Sequence, residues 1–216
     1  MTTLEQFEKG LRLDQYIATI TQNKENFRAN FIKATESFDA DDLAFFRRLP
    51  AKVNIAVVTE DANLDAVRDV PIIGRLSVEV SRLALRLFRP ATHAEVVQAI
   101  MQDASLLVDA QEMDPGKGRL PIIAFYTQEM RLVGVHACRL PELSAEMRRR
   151  RSAWIESHPE IWDAREPLDK MTPLTRTRLI QAIYALTPEQ RVMWGRLTVK
   201  HWRRILSTLP ATAQAD

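Results

Sequence analysis

The 216-residue chain holds a single cysteine, Cys138. One sulfur excludes an internal disulfide framework, a zinc site built on several thiolates, and an intrachain dithiol redox cycle, which needs two. Glycine is scarce, at 6 residues, and the 11 prolines are too few for a low-complexity linker protein. Long apolar runs are missing as well. Stretches such as Pro121-Ile122-Ile123-Ala124-Phe125 fall far short of the ~20 residues that span a bilayer. The opening Met1-Thr2-Thr3-Leu4-Glu5 has no basic n-region and no apolar h-region after it, so no secretory signal is expected. With so little cysteine, the chain reads as cytoplasmic, with no membrane association.

Motifs for metals and cofactors are equally lacking. His93, His136, His158 and His201 share no ligand spacing, and a zinc site is not expected. Gly116-Lys117-Gly118 resembles a phosphate loop only superficially: it lacks the G-x-x-x-x-G-K-[ST] pattern and precedes a strand. Neither G-x-S-x-G nor G-x-G-x-x-G occurs. No cofactor is called for.

What is present is an ordinary globular composition, 46% hydrophobic and 27% charged, enough to bury a core and to argue against global disorder. The net charge of +2 hides an asymmetry. Residues 1–138 carry 16 Lys+Arg against 19 Asp+Glu, and residues 139–216 carry 14 against 9. A basic C-terminal third suits an anionic partner or simply a solvated helix face.

Hydrophobic periodicity divides the chain. Residues 3–37 read as helix interrupted near Gly10, with Leu13, Tyr16, Ile17 and Ile20 at i, i+3, i+4, i+7. Asp39 caps a short helix that Pro50 ends. Val53–Thr59 is β-branched enough for a buried strand. Leu64–Ala84 is a helix carrying Pro71 in its interior, where a kink is expected. Leu83–Phe88 is a strand, Ala91–Gln102 a helix, and Leu120–Tyr126 with Met130–His136 an antiparallel hairpin. Helices follow over Glu142–Ser157, Leu174–Leu186 and Glu189–Leu206. Thr172-Pro173 and Thr187-Pro188 place an N-cap before a proline at N1, and Gln190 completes a capping box with Thr187. The order strand, helix, strand, helix, strand, strand, helix over 53–157 predicts an α/β domain. A right-handed crossover with parallel strands and a following hairpin make a mixed four-stranded sheet with helices on both faces. The expected division is a helical extension over 1–50, the sheet domain over 51–157, and a second helical extension over 158–216.

This order, with Leu13-Asp14-Gln15-Tyr16 in the first extension, resembles a bacterial thioredoxin-like family. Val58-Thr59-Glu60-Asp61-Ala62-Asn63-Leu64 leads into the Pro71 helix, Leu85-Arg86-Leu87-Phe88-Arg89 ends the second strand, and Gly116-Lys117-Gly118-Arg119-Leu120-Pro121 opens the third. The resemblance covers about residues 10–155 and implies the thioredoxin fold, βαβαββα. It departs at the chemistry. The family's Trp position is Ala62, the attacking Cys position is Asn63, and the second Cys position is Ala66. A thiolate at a helix N-terminus is stabilised by the helix dipole, and neither Asn nor Ala supplies one. The resemblance also implies that Pro121 is cis, beside a peptide-sized groove formed with Asp61, Ala62, Asn63 and Leu120. Read by itself, Pro121 equally suits a trans proline opening an edge strand.

Other candidates remain. Cys138, with His136 and Arg139 nearby, suits either a lone reactive thiol or an ordinary loop cysteine. Glu60, Asp61 and Asp65 suit acid–base work or, more simply, capping of the following helix by Asp61 or Asn63. Arg148–Arg151 and the basic residues interleaved with Trp194 and Trp202 suit nucleic-acid contact. The helical spacing of Trp194, Thr198, Trp202 and Ile205 instead marks a core face. The resulting expectation is a non-catalytic protein- or peptide-binding module, with a homodimer as one form of partner. The alternatives are a thiol-dependent oxidoreductase or transferase using Cys138, and nucleic-acid association through the basic C-terminal helices.

Overall fold

A computed structural model describes residues 1–108, 120–137 and 139–210. Cys138 and the Gly116-Lys117-Gly118 segment lie outside the described residues. By contacts the chain divides into two compact units. One is Met1–Cys138 with Gly195–Asp216, and the other is Arg139–Trp194. The helices before β1 and the chain from Gly195 on belong to the same unit as the sheet.

The first unit begins with α1 (Leu4–Glu8), α2 (Leu13–Ala18), α3 (Lys24–Lys33), a 3-10 turn and α4 (Ala40–Arg47). The Asp39 carboxylate caps α4 by accepting from the Asp42 amide. Then come β1 (Val53–Val58), α5 (Leu64–Glu79), β2 (Leu83–Phe88), α6 (Ala94–Ala104), β3 (Ile122–Tyr126) and β4 (Leu132–Ala137). The sheet is mixed, in the order β2-β1-β3-β4, with β1 parallel to β2 and antiparallel to β3. β1 is buried at every residue. It sits between two strands and beneath two helical layers, which is why it reads as an apolar run broken only by Asn54.

Alternation sorts the side chains. Ile55, Val57, Leu85, Leu87, Ile123 and Phe125 point to one face, against Tyr16, Phe27, Phe46, Ile73 and Trp202. Ala56, Val58, Phe88, Ile122 and Tyr126 point to the other, against Phe7, Val97 and Ile100. Trp202 lies on α9 (Pro188–Leu206). The helix that the strand order expects last, α7 (Pro141–Ser157), belongs to the second unit. The C-terminal part of α9 instead packs beside α5 over the sheet. Gly134 on β4 makes this contact possible: a Cβ there would collide with the Ile205 side chain.

Pro71 falls inside α5. Its ring nitrogen has no hydrogen to give the Val67 carbonyl four residues back. Asn30, on α3, supplies the missing donor: its Nδ2 reaches the Val67 carbonyl at 2.8 Å. A neighbouring helix thus satisfies a carbonyl that the proline orphans. The helix is also shorter than its periodicity predicts. Val80 is extended, and the Leu83 amide donates to the Val80 carbonyl in the turn that leads into β2.

The second unit holds α7, α8 (Pro173–Tyr184) and the start of α9. Trp154, Ala164, Met171 and Leu179 form its core. The buried Asp163 accepts from the Thr172 amide and the Thr175 hydroxyl, each at 2.6 Å. Thr172 in turn caps α8 ahead of Pro173. Among the described residues, no helix is long and apolar enough to cross a membrane.

Candidate functional site

The end of the sheet where β1 runs into α5 carries the residues singled out in the sequence. β1 continues one residue further as the Thr59 amide donates to the Phe88 carbonyl. The chain turns over Glu60–Ala62 and enters α5 at Asn63. Asn63 is the N-cap, and its Oδ1 accepts from the Ala66 amide at 2.9 Å. The Asn63 side chain is therefore spent on an orphan helix donor, as an N-cap asparagine is. Ala66, on the first turn of α5, is buried in the core.

Asp61 does not cap the helix. Its carboxylate accepts from the Thr21 amide and from Arg89 Nη2, both at 2.9 Å, and its carbonyl accepts from Asn23 Nδ2 at 3.0 Å. Arg89 also donates to the Thr19 hydroxyl and lies over the Tyr16 ring, 4.7 Å from its centroid. Burial, with the nearby Asp61 charge, pushes the Tyr16 hydroxyl up to about 12. Asp61 and Arg89 thus clamp the segment after α2 onto the sheet end. This is the structural counterpart of the Leu13–Tyr16 motif. The carboxylate is committed to that anchor and is not a free acid–base group.

The third acid of the cluster, Asp65, turns inward. Arg68 Nη1 donates to Asp65 at 2.8 Å, while Nε and Nη2 grip Asp69 in a bidentate pair at 2.7 Å. Burial alone would raise the Asp69 carboxyl. The Arg68 charge and then the His136 contact outweigh it and hold Asp69 below the usual carboxylate range. Sequence reasoning misses this network of Asp65, Arg68, Asp69 and His136. Its only trace in the sequence is acidic residues four apart on an otherwise apolar helix face.

β1–β3 register brings Pro121 to the same sheet end: Val58 pairs with Ile122, so Pro121 arrives opposite the start of the Thr59–Asn63 turn. The Leu120–Pro121 peptide bond is cis, the isomer that the resemblance implies. Leu120 is wholly buried in the apolar cluster of the α6 face, so it can offer a groove only its backbone. Ala62 is exposed, and Asp61 and Asn63 are partly so.

The arginine run on α7 is mostly occupied within the second unit. Arg150 donates to Glu146, to the carbonyls of Ile183 and Ala185 at the end of α8, and to Gln190, and it lies over the Trp194 ring. Arg149 pairs with Glu146, and Arg151 donates to the Glu166 carbonyl. Trp194 and Trp202 are buried, as their spacing predicts, and neither presents a face for stacking on bases. Among the described residues, no group of three or more His, Cys, Asp or Glu side chains converges as a metal site.

No family model matches the chain, and no curated protein matches it. Solved structures similar to it include a protein of unknown function from Pseudomonas aeruginosa, with a TM-score of 0.55. Another is an HIV epitope-scaffold, with a TM-score of 0.53. Each is 10% identical and matches 94% of this chain and 99% of its own length. At that identity the likeness is one of fold alone: the chain shares with them an α/β architecture built on a mixed four-stranded sheet.

Proposed function

We propose that the chain is a thioredoxin-like protein without redox chemistry, and that it binds an extended polypeptide at the sheet end beside Asn63 and Pro121. The observation that carries the reading is the cap at Asn63. A redox protein of this type needs a thiolate where this chain has an amide side chain bonded to Ala66. The strand order β2-β1-β3-β4, with a helix leaving the central strand at this point, supports the thioredoxin-like part. Retention of that frame without a nucleophile supports binding over catalysis. The exposed Ala62 and partly exposed Asn63 leave room for a chain that runs past the end of β3.

The test is selection from a displayed random-peptide library on the intact protein, repeated with Asn63→Trp. Peptides enriched on the native protein and lost by at least tenfold with the bulky variant support the groove. Peptides retained equally by both proteins place binding elsewhere and overturn the reading. Appreciable insulin reduction by the native protein would overturn its non-catalytic part, and loss of that turnover in Cys138→Ser would assign it to the lone thiol.

A further inference from the structure

The two outer strands of the sheet differ in what becomes of their outward backbone groups, and strand pairing fixes which groups those are. The Thr59 amide donates to the Phe88 carbonyl, and the Val53 amide to the Arg82 carbonyl. Alternate residues of β1 from Val53 on therefore bond to β2, which leaves Asn54, Ala56 and Val58 to bond to β3. These stand opposite Tyr126, Ala124 and Ile122. Ile123 and Phe125 are then the β3 residues that bond to β4, where they oppose His136 and Gly134. Val135 and Ala137 consequently point their N–H and C=O groups away from the sheet.

On β2 the outward residues are Leu83, Leu85 and Leu87, and each has a partner. Leu87 exchanges both main-chain bonds with Leu11 at 2.9 Å, and the Leu83 amide donates to the Val80 carbonyl at 3.0 Å. The Leu85 carbonyl accepts from Arg86 Nη1 at 3.0 Å. On β4, by contrast, no hydrogen bond among the described residues reaches the outward groups of Val135 or Ala137. Both residues are partly exposed, while Gly134 and His136 between them are buried. The strand Leu132–Ala137 holds no Lys, Arg, Asp, Glu or Pro, the residues that ordinarily guard an open edge.

We propose that the outer edge of β4 is a strand-addition site, where an extended segment of a partner polypeptide bonds through its main chain to Val135 and Ala137 and lengthens the sheet by one strand. A row of outward N–H and C=O groups is matched by an extended backbone. The composition of that segment follows from its neighbours. Leu132, Val135 and Ala137 pack against the apolar cluster on the α6 face, so the side chains of the added strand that turn to this face are apolar and alternate with polar ones. A flexible segment suits the edge better than a second copy of β4. The register shifts between Phe125 and Tyr126, which oppose Gly134 and Leu132 and leave Val133 over. Such a bulge twists an edge away from the approach of an identical rigid edge, whereas a flexible segment follows the twist. The site is separate from the groove beside Asn63 and Pro121, and neither depends on the other.

The experiment selects short displayed peptides, with Val, Ile or Thr fixed at alternate positions, on the native protein and compares their binding to Val135→Pro and Asn63→Trp. Proline at position 135 deletes an outward N–H and spares the bonds to β3, which Gly134 and His136 make. Enriched peptides should bind Val135→Pro about tenfold more weakly or worse and bind Asn63→Trp as they bind the native chain. No enrichment on the native protein overturns the proposal. So do peptides that Val135→Pro retains, and those lost with Asn63→Trp alone belong to the other groove. Amide exchange of the native protein, read by NMR with and without a selected peptide, does not depend on a variant folding. The Val135 and Ala137 amides should slow when the peptide is added, while those of Gly134 and His136, already bonded within the sheet, should not change. Unaltered exchange at Val135 and Ala137 overturns strand addition. A native dimer in sedimentation that Val135→Pro converts to monomer puts a second copy at the edge and overturns the flexible partner.

Discussion

Asn30→Leu removes one hydrogen-bond donor and almost no volume, and its cost should depend on whether residue 71 is proline. In the native chain, Asn30 Nδ2 meets the Val67 carbonyl at 2.8 Å, and Pro71 cannot donate to that oxygen. Val67 and Pro71 are both buried, so water does not replace the lost donor. Leaving a buried carbonyl without a partner costs about 1–3 kcal/mol. Pro71→Ala restores the amide hydrogen four residues along and removes the ring's clash with the same carbonyl. In that background the helix can satisfy Val67 itself, and Asn30→Leu should cost no more than about 0.5 kcal/mol. The predicted coupling energy is therefore about 0.5–3 kcal/mol, at or above the ~0.5 kcal/mol scatter expected of independent sites. Urea unfolding of the four proteins gives the cycle, and hydrogen exchange of the Val67–Gly74 amides locates it on α5. Equal costs of Asn30→Leu in the native and Pro71→Ala backgrounds would show that Asn30 does not stand in for the missing amide.

The remaining predictions concern other joints. Gly134→Val should destabilise the first unit by about 1–3 kcal/mol through its collision with Ile205; Ile205→Ala should recover part of this in thermal melts, and an additive pair would refute the contact. Asp69 is held below its ordinary range when folded, so it adds stability above about pH 4 that is lost as pH falls through its folded value. Asp69→Asn should accordingly flatten the acid limb of the stability curve, and an unchanged limb would refute this. Tyr16, pushed up to about 12, should ionise only at strongly alkaline pH in an ultraviolet titration, and Tyr16→Phe should delete that late step. Arg150→Ala should lower the melting temperature of the second unit by several degrees, because Arg150 binds the end of α8, whereas Arg148→Ala, at an exposed position, should stay within about 0.5 kcal/mol of native stability.

Local signals carried much of the fold. The β-branched run over Val53–Val58 and the alternation in Leu83–Phe88 predict β1 and β2 correctly. The Thr172-Pro173 and Thr187-Pro188 starts appear as caps: Thr172 accepts from Thr175, and Thr187 exchanges bonds with Gln190. These succeed because a cap or a buried strand is decided by neighbours a few residues away. The larger departures are long-range. The C-terminal part of α9, far along the chain, packs with α5 over the sheet. The four arginines of α7 read as one basic run, but Arg150 reaches α8 and α9 and Arg151 reaches the segment before α8, while Arg149 pairs with Glu146 on α7 itself.

The candidate site divides in the same way. The absence of cysteine at Asn63 and Ala66 is visible in the sequence alone, and it suffices to deny this sheet end a dithiol. What Asn63 does is a matter of helix geometry, and it was legible because N-caps are local. That Asp61 anchors the segment after α2 through Arg89, and that Asn30 serves a carbonyl orphaned by Pro71, was not. These pairs are 28 and 37 residues apart in the chain, and no local pattern encodes which distant donor meets which acceptor. The sequence by itself determined the element types, the single cysteine and the polar ends of the helices, because hydrophobic period and capping act over a turn or two. Only the tertiary structure decided which buried charges meet, since burial turns Asp69, Arg68 and His136 from solvated side chains into a network that must satisfy itself.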